Sequence, residues 1–284
     1  MVKGVGDRIT DVIIDVILII AGLVCLIPLL YVLSVSLTPF SEVLKSGGFI
    51  IIPKHITFDA YKEIFAQSYI SNSFLVTIRL TVIGTAMNMA LTVLLAYPLS
   101  RKKMPGRSFF LLYIVFTMLF SGGMIPTYLV VKQLGLIDTL WALILPNVVW
   151  TFNTLVMKSF FENIPEEMFE SAKIDGASEM KILVNIVIPL SVPVLMTVLL
   201  FYMIGHWNEF FQAILYITKP SLNPLQVVVR QILTQSNMDN PDVTIPTQTL
   251  QCAVVVFATV PIVAVYPFIQ KHLTKGMMLG AIKG

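Results

Sequence analysis

Six long, mostly apolar stretches follow one another along the chain, with most of the charges gathered between them. A helix needs roughly 20 apolar residues to cross the hydrocarbon of a bilayer, because each residue rises about 1.5 Å. Stretches of that length occur at about residues 16–37, 74–99, 109–131, 140–160, 190–216 and 250–269. They predict an all-α, polytopic membrane protein with six transmembrane helices, arranged as a single domain over residues 1–284.

Composition excludes an ordinary soluble domain. Of the 284 residues, 56% are hydrophobic and only 12% are charged, whereas soluble globular domains carry about a quarter charged residues. The two cysteines, Cys25 and Cys252, both lie inside apolar stretches, which favours buried thiols over a disulfide framework. The first stretch is too long for a cleaved signal sequence and lacks a small-residue cleavage site, so we expect it to remain as a membrane helix.

Lysine and arginine are distributed unequally between alternate connections. Of the 19 such residues, twelve fall on the side that holds both termini and residues 161–189, six fall on the opposite side, and Arg79 lies inside the second stretch. Basic residues accumulate in the cytoplasmic connections of membrane proteins. The distribution therefore predicts a multi-pass protein of the plasma membrane with both termini in the cytoplasm.

The connection between the fourth and fifth stretches, residues 161–189, is polar and longer than a simple link requires. Pro165 suits the start of a helix, and the two glutamates that follow it favour the positive end of the helix dipole. Gly176 can adopt a left-handed conformation that ends this helix, and Ser178 can cap a second one. The connection is therefore predicted to form two short helices, bent at a glycine, on the cytoplasmic surface.

The same connection resembles a known motif. It carries Glu170, Ser171, Ala172 and Gly176, followed by Ile186, Ile188 and Pro189. This order resembles the Glu-Ala-Ala…Gly…Ile-x-Leu-Pro loop in the permease subunits of binding-protein-dependent (type I) ABC importers, with serine and isoleucine replacing the second alanine and the leucine. The resemblance implies a coupling loop that docks into a groove of a separate ATP-hydrolysing subunit, with candidate residues Glu170, Ser171, Ala172, Asp175 and Gly176. The alternative interpretation, without the resemblance, is a surface helix capped by glutamates.

Four further runs resemble one class within that family. They are AYPLSR at residues 96–101, FSGGMIPT at 120–127, HWNEFF at 206–211, and the glycine- and lysine-rich tail at 271–284. They resemble the second, maltose-permease-like subunit of carbohydrate-uptake ABC importers, and most of all a branch associated with complex oligosaccharides in Gram-positive bacteria. The likeness covers nearly the whole chain. It implies a permease that moves an oligosaccharide, chemically unchanged, by alternating access.

Two groups of polar and aromatic residues are candidates for the substrate pathway. Tryptophan can stack on the apolar face of a sugar ring, while asparagine and glutamate can hydrogen-bond its hydroxyls. One group is Trp207, Asn208 and Glu209; the other is Asn147, Trp150 and Asn153, which at a spacing of three would lie roughly on one face of a helix. Other interpretations stay open, because tryptophan is also typical of interfacial belts and asparagine of contacts between membrane helices.

The chain lacks the motifs of an energy-converting enzyme. It contains no G-x-x-x-x-G-K-[ST] phosphate loop, no H-E-x-x-H and no G-x-S-x-G. Its three histidines, His55, His206 and His272, are far apart in sequence, so neither a metal site nor a catalytic residue is predicted. Any ATP and Mg²⁺ would be bound by a partner ATPase. Arg79 and Glu209 both fall near the outer ends of their stretches, where reaching to water is the usual explanation for a charge.

The predicted partners follow from the resemblance. They are a second, homologous permease subunit, two ATPase domains in the cytoplasm, an extracellular substrate-binding protein and the oligosaccharide itself, with no nucleic acid. Two long outer connections, residues 39–71 and 217–249, suit a surface that receives another protein. An ion-coupled secondary transporter and a membrane scaffold subunit without transport activity are the alternative hypotheses.

Overall fold

The chain is described by a computed structural model that covers the backbone of residues 5–235 and 247–280 and the side chains of residues 10–234 and 247–268. Every regular element within these residues is helical, which confirms the all-α fold class. In chain order the helices are α1 (Val5–Ser36), α2 (Phe40–Lys45), α3 (Asp59–Ala66), α4 (Ser68–Ser100), α5 (Arg107–Leu119), α6 (Met124–Gln133), α7 (Trp141–Ile144), α8 (Thr151–Glu162), α9 (Glu166–Ile174), α10 (Glu179–Ile182), α11 (Ile188–Leu190), α12 (Val192–Trp207), α13 (Phe211–Tyr216), α14 (Leu225–Gln235) and α15 (Gln248–Gly280). The tail run at residues 271–284 lies outside the described side chains.

Three of the six predicted spans are continuous helices. α1, α4 and α15 coincide with the first, second and sixth apolar stretches. Within the described residues, these three helices are long and apolar enough to cross a membrane, and the number rises to five if each of two bent helix pairs forms one span. The chain is therefore polytopic, but only some of its apolar stretches form continuous helices.

The other three predicted spans consist of helical segments separated by breaks. In the third stretch, α5 and α6 meet at 110° around Gly123, whose φ of 89° favours glycine. In the fifth stretch, α12 ends at Trp207 and α13 begins at Phe211. The fourth stretch is divided among α7, a 3₁₀ turn at Leu145–Asn147 and α8.

The interruption of the fourth stretch has a local cause. Pro146 lies in the first turn of the 3₁₀ helix, where its missing N–H removes no helical hydrogen bond. Trp150 is extended, with ψ at 113°, so α8 begins only at Thr151. Asn147, Trp150 and Asn153 consequently lie in three different backbone conformations, and the prediction that they share one face of a continuous helix is wrong.

The polar connection enters the fifth stretch through a sharp bend. α10, a π-helical turn at Leu183–Val187 and α11 form one segment, which meets α12 at 85°. Pro189 supplies no N–H to this segment, and the N–H of Ser191 donates to two carbonyls of the preceding turn at 3.0 and 3.1 Å. The bend separates the connection from α12, which is the helix that continues into the membrane.

One compact unit comprises residues 1–71 and 228–260. Its apolar core consists of Val35, Val43 and Ile50, with Tyr31 and Cys252 packed against them. The hydroxyl of Tyr31 donates to Gly48 O at 2.9 Å and accepts from Gln248 Nε2 at 2.7 Å. The apolar length of α1 is not buried within the chain, so its surface is open to lipid or to another subunit.

The other compact unit comprises residues 72–227 and 261–284 and contains two apolar cores. One core joins α4, α8, α9 and α12, and its largest buried side chains include Phe161, Phe169 and Tyr202. The second contains Leu80 of α4 and Leu143 of α7. Helix α9 of the polar connection is therefore packed on the long helices and is not a free surface loop.

Two glycines in this unit allow aromatic rings of neighbouring elements to pack directly against a helix backbone. A Cβ on Gly84 of α4 would lie 2.5 Å from Nε2 of His206. A Cβ on Gly205 of α12 would likewise lie inside van der Waals contact with the Trp150 ring. Both positions must therefore lack a side chain for the rings to sit where they do.

We predict that Gly84→Val lowers the stability of the chain by about 1–3 kcal/mol, because an overpacked core must displace its neighbours. The His206 ring has little freedom to move away, since Nε2 is hydrogen-bonded to Asn88 Oδ1 at 2.9 Å. Gly22→Val is the matched control, because Gly22 is also inside a long helix but nothing beyond its own stretch of helix lies within 4 Å of an added Cβ. Thermal unfolding of the purified chain in detergent compares the two variants, and equal midpoints would contradict this packing.

Candidate coupling loop and substrate pathway

The polar connection begins as a well-defined helix start. Pro165 precedes α9 with extended backbone angles of φ −54° and ψ 134°. Glu166 and Glu167 occupy the first turn and Lys173 the last, an order of charges that stabilises both ends of the helix dipole. These features explain why a short helix forms here, directly after α8 ends at Glu162.

The predicted glycine bend is confirmed by the backbone. Gly176 has φ of +74°, the left-handed region that side chains with a Cβ avoid. Its N–H donates to Lys173 O at 3.0 Å, and the next N–H, of Ala177, donates to Ala172 O at 2.9 Å. This pair of bonds is a Schellman motif, which closes the C-terminal end of a helix.

The second predicted helix is also present, though short. Ser178 precedes α10 and its hydroxyl accepts from the N–H of Lys181 at 3.4 Å, so it caps the helix as predicted. The connection thus consists of α9, a left-handed glycine turn and the segment that starts with α10. We call residues 161–189 the coupling loop.

The five candidate residues of the coupling loop differ in solvent exposure. Glu170, Ser171, Asp175 and Gly176 are exposed. Ala172 is only 9% exposed and packs in the core beside Phe169. The small side chain at position 172 therefore lets α9 approach the long helices, while the other four residues remain available to a partner.

The sequence interpretation missed the apolar part of the exposed surface. Ile174 is 86% exposed at the end of α9, and Met168, Met180 and Val184 are also exposed. An exposed isoleucine between Lys173 and Asp175 is a signal that the sequence does contain. An exposed apolar patch bordered by polar residues is typical of interaction sites, so this part of the loop is a candidate contact surface.

The candidates of the fourth stretch differ in exposure. Asn147 is exposed, and its carbonyl accepts from Asn88 Nδ2 at 3.0 Å. The Trp150 ring is partly buried and lies edge-on to Tyr202, with ring centroids 5.0 Å apart. Asn153 is buried. The structure therefore gathers Trp150 and Asn153 into the core and leaves Asn147 at its surface.

The candidates of the fifth stretch are separated in the same way. Trp207 is buried, with its ring edge-on to Phe74 at 5.9 Å between centroids. Asn208 is exposed, and its Nδ2 donates to Ile204 O at 2.9 Å. A carboxylate oxygen of Glu209 accepts from the N–H of Gln212 at 3.0 Å. Glu209 therefore caps the first turn of α13.

Buried polar side chains along α4 were also missed. Thr77, Thr81, Thr85, Asn88 and Thr92 recur every three or four residues and are all buried. Asn88 contacts His206, and the Thr92 hydroxyl lies 2.6 Å from the Tyr202 hydroxyl. Their regular spacing within an apolar stretch was the available signal. Asn88 and Thr92 thus form polar contacts between α4 and α12.

The carboxylate of Asp138 links the connection after α6 to the segment after α13 by hydrogen bonds. Asp138 has φ of +59°, and its carboxylate accepts from the N–H and hydroxyl of Thr218, both at 2.6 Å, and from the N–H of Lys219 at 3.0 Å. These bonds, those from Thr218 above all, lower the pKa of Asp138 below its usual value. The ionised Asp138 carboxylate therefore stabilises the folded chain at any pH above the ordinary carboxyl pKa. This stabilisation is lost as the pH falls through the lowered pKa of Asp138.

Within the part of the chain that the structure describes, no three histidine, cysteine, aspartate or glutamate residues are grouped to hold a metal ion. The charged residues of the coupling loop instead pair with one another and with basic residues after α4, as in Arg101–Glu166 at 3.0 Å and Lys173–Glu179 at 2.7 Å. The exposed side of the coupling loop therefore has the charges of a contact surface.

Comparisons with known proteins agree with this geometry. Residues 1–279 match the family described as the inner membrane component of binding-protein-dependent transport systems. The chain is 46% identical to the polygalacturonan/rhamnogalacturonan transport system permease protein YtcP of Bacillus subtilis, over 98% of this chain and 99% of that protein. It is 48% identical to protein LplC of the same organism, over 93% and 91% of the two chains.

A solved structure gives the same result for the fold. A chain in the crystal structure of a bacterial ABC transporter that imports the acidic polysaccharide alginate superposes with a TM-score of 0.87 at 30% identity, covering 95% of this chain and 99% of the other. The first of these relatives is named as a permease protein of a transport system. The chain therefore belongs to the family of inner membrane components of binding-protein-dependent transport systems, as an integral membrane permease.

Proposed function

We propose that this chain is one of two permease subunits of an ATP-driven importer that carries oligosaccharides across the plasma membrane. Its partners are a second, homologous permease, two cytoplasmic ATPase domains that bind ATP and Mg²⁺, and an extracellular substrate-binding protein. Both termini and the coupling loop lie in the cytoplasm, as the distribution of lysine and arginine predicts. The chain itself carries out no covalent chemistry.

The exposed surface of the coupling loop is the observation that carries this proposal. Ile174 projects from the end of α9, close in sequence to the left-handed turn at Gly176, and the charged residues Glu167 and Asp175 of the same loop are exposed as well. An apolar projection with a charged border fits an apolar groove with a polar rim. We assign that groove to the ATPase, with Glu170, Ser171 and Asp175 as polar contacts.

The loop is placed so that movement of the ATPase reaches the membrane helices. Its second half continues through the 85° bend at Ser191 into α12. When the two ATPases close on ATP, the coupling loops of the two permeases are drawn together and the cavity between the permeases opens outward. Hydrolysis separates the loops and returns the cavity to the inward-facing state.

Six residues form the proposed substrate pathway in this subunit. The exposed Asn147 and Asn208 contact sugar hydroxyls, and the partly buried Trp150 and Glu209 line the path. The buried Asn153 and Trp207 shape its wall from behind.

The names of the relatives indicate an acidic oligosaccharide. One relative is named for polygalacturonan/rhamnogalacturonan transport, and the solved structure is that of a transporter involved in the import of an acidic polysaccharide; galacturonan is a polymer of a sugar acid. Arg79 of α4 is consistent with such a substrate, because it is exposed and has no ion pair or hydrogen bond in the described part of the chain. An intramembrane cation of this kind is a candidate contact for a carboxylate.

The function is tested by purifying the chain from native membrane and reconstituting the recovered assembly into vesicles. We expect a different permease and an ATPase to co-purify, and vesicles supplied with ATP and the binding protein to take up oligogalacturonides. Uptake driven by a proton or sodium gradient without an ATPase would establish a secondary transporter instead. Partner binding without any flux would establish a scaffold subunit.

Gly176→Val should weaken recovery of the ATPase or uncouple its hydrolysis from uptake. A side chain with a Cβ at a left-handed position costs about 1 kcal/mol or more, and it would also obstruct the docking surface. Gly135→Val is the matched control, because Gly135 has φ of +68° and, like Gly176, open space around an added Cβ. If both variants recover the ATPase and transport as the unmodified chain does, the coupling loop does not dock there.

Asn208→Ala should raise the substrate concentration for half-maximal uptake by about 2–10-fold, the effect of losing one hydrogen bond, without changing assembly. Asn163→Ala is the matched control, since Asn163 also follows a helix and donates to the carbonyl four residues back, at 2.9 Å. Trp207→Ala should instead lower the yield of assembled complex, because removal of a buried aromatic costs about 3–5 kcal/mol. Unchanged uptake by assembled Asn208→Ala at limiting substrate would remove this residue from the pathway.

A further inference from the structure

Arg101 follows α4 directly and lies against the coupling loop. Its guanidinium carbon is 3.6 Å from the centroid of the Phe169 ring, and its Nη2 donates to Glu166 Oε1 at 3.0 Å. The side chain is only 16% exposed, so the cation–π contact and the charge-assisted hydrogen bond are partly shielded from water, which strengthens both. We call Arg101, Glu166 and Phe169 the Arg101 cluster.

We infer that the Arg101 cluster fastens the coupling loop to the cytoplasmic end of α4, so that the loop and α4 move as one body, with Arg101 as the positioning residue. This rests on the proposed function, since it concerns how movement of an ATPase is transmitted. It adds a second route for that movement, besides the covalent path from the loop into α12.

Further contacts tie both halves of the loop to the same end of α4. The Tyr97 hydroxyl donates to Glu179 Oε2 at 2.5 Å, and Lys173 Nζ lies 2.7 Å from the other oxygen of that carboxylate. Lys103 lies 3.8 Å from Glu170. These groups line a cleft of about 430 Å³ between the end of α4 and the loop. The attachment therefore includes α9 and α10 together.

An apolar core supports these polar contacts from within. Ala96 and Tyr97 of α4 share one buried cluster with Phe169 and Ala172 of α9 and with Ile182 of α10. Moving the loop away from α4 would expose this surface to water, which opposes separation. Phe169 belongs to both sets, because one face of its ring meets Arg101 and its body lies in the core.

The covalent connection from the coupling loop into α12 is less suited to transmit movement of the loop. It runs through a π-helical turn, Pro189 and the 85° bend at Ser191, features at which helices bend. The Arg101 cluster avoids that joint and acts on α4 directly. α4 is then connected to α12 by Asn88–His206 at 2.9 Å and Thr92–Tyr202 at 2.6 Å. Movement of the loop can thus reach α12 through α4 as well as through the bend.

The test uses the reconstituted transporter with Arg101→Met, Arg101→Lys and, as a matched control, Lys102→Met. Lys102 is the exposed neighbour of Arg101 and removing it deletes the same charge. Hydrogen exchange of residues 166–179 should become about tenfold faster in Arg101→Met, as expected for loss of a hydrogen bond to a charged group. The number of ATP molecules hydrolysed per oligosaccharide imported should rise severalfold in the same variant. Arg101→Lys should lie between Arg101→Met and the unmodified chain in both measurements, and the control should match the unmodified chain.

The two measurements separate the inference from the function on which it rests. Unchanged exchange in Arg101→Met would show that the cluster does not hold the loop and would overturn the inference. Faster exchange with an unchanged ATP requirement would overturn the role in coupling. If the unmodified assembly shows no ATP-dependent import, the proposed function fails and the coupling role falls with it, while the exchange data still decide whether Arg101 fastens the loop.

Discussion

The polar face of α4 is the feature on which the second compact unit depends. A broken helix in a membrane frees backbone groups that have no water to bond, and each must find a partner inside the protein. Side chains of α4 supply two such partners. Asn88 Nδ2 donates to the carbonyl of Asn147 at the break in the fourth stretch, and the Thr77 hydroxyl accepts from the N–H of Leu225 where α14 begins. The continuous helix α4 thus supplies hydrogen-bond partners for backbone groups at a helix break and at a helix start in neighbouring elements.

Much of the fold was predictable because membrane spans and glycine turns have strong local signatures. The apolar lengths of α1, α4 and α15 and the left-handed turn at Gly176 each follow from a few neighbouring residues. The interruptions at Gly123 and Trp150 were not predictable in the same way. Glycine and proline mark where a helix is able to break, but whether it does depends on partners such as Asn88, which are distant in sequence. Local pattern therefore predicts where each apolar stretch lies, whereas the breaks within three of the stretches depend on contacts between residues distant in sequence.

The candidate site was predictable in part for a similar reason. The motif residues of the coupling loop were identified by their resemblance to a known motif, yet that resemblance does not tell which of them face inward. Ala172 proves to be a packing residue, whereas the apolar Ile174 is exposed. The contact of Arg101 with Phe169 joins residues 68 positions apart in the chain, which no local pattern reveals. The substrate-pathway residues remain a prediction for the assembled transporter to test.

The two ring contacts at Gly84 and Gly205 also limit how α4, α12 and the start of α8 are able to move. His206 sits at a gap on α4, and Trp150 sits at a gap on α12 one residue before it. Sliding α12 along α4 by one helical turn would bring the His206 ring against Leu80 or Asn88, where side chains fill the space. The rings that occupy the space beside Gly84 and Gly205 thus oppose a change of register between α12 and two neighbours, α4 and the start of α8.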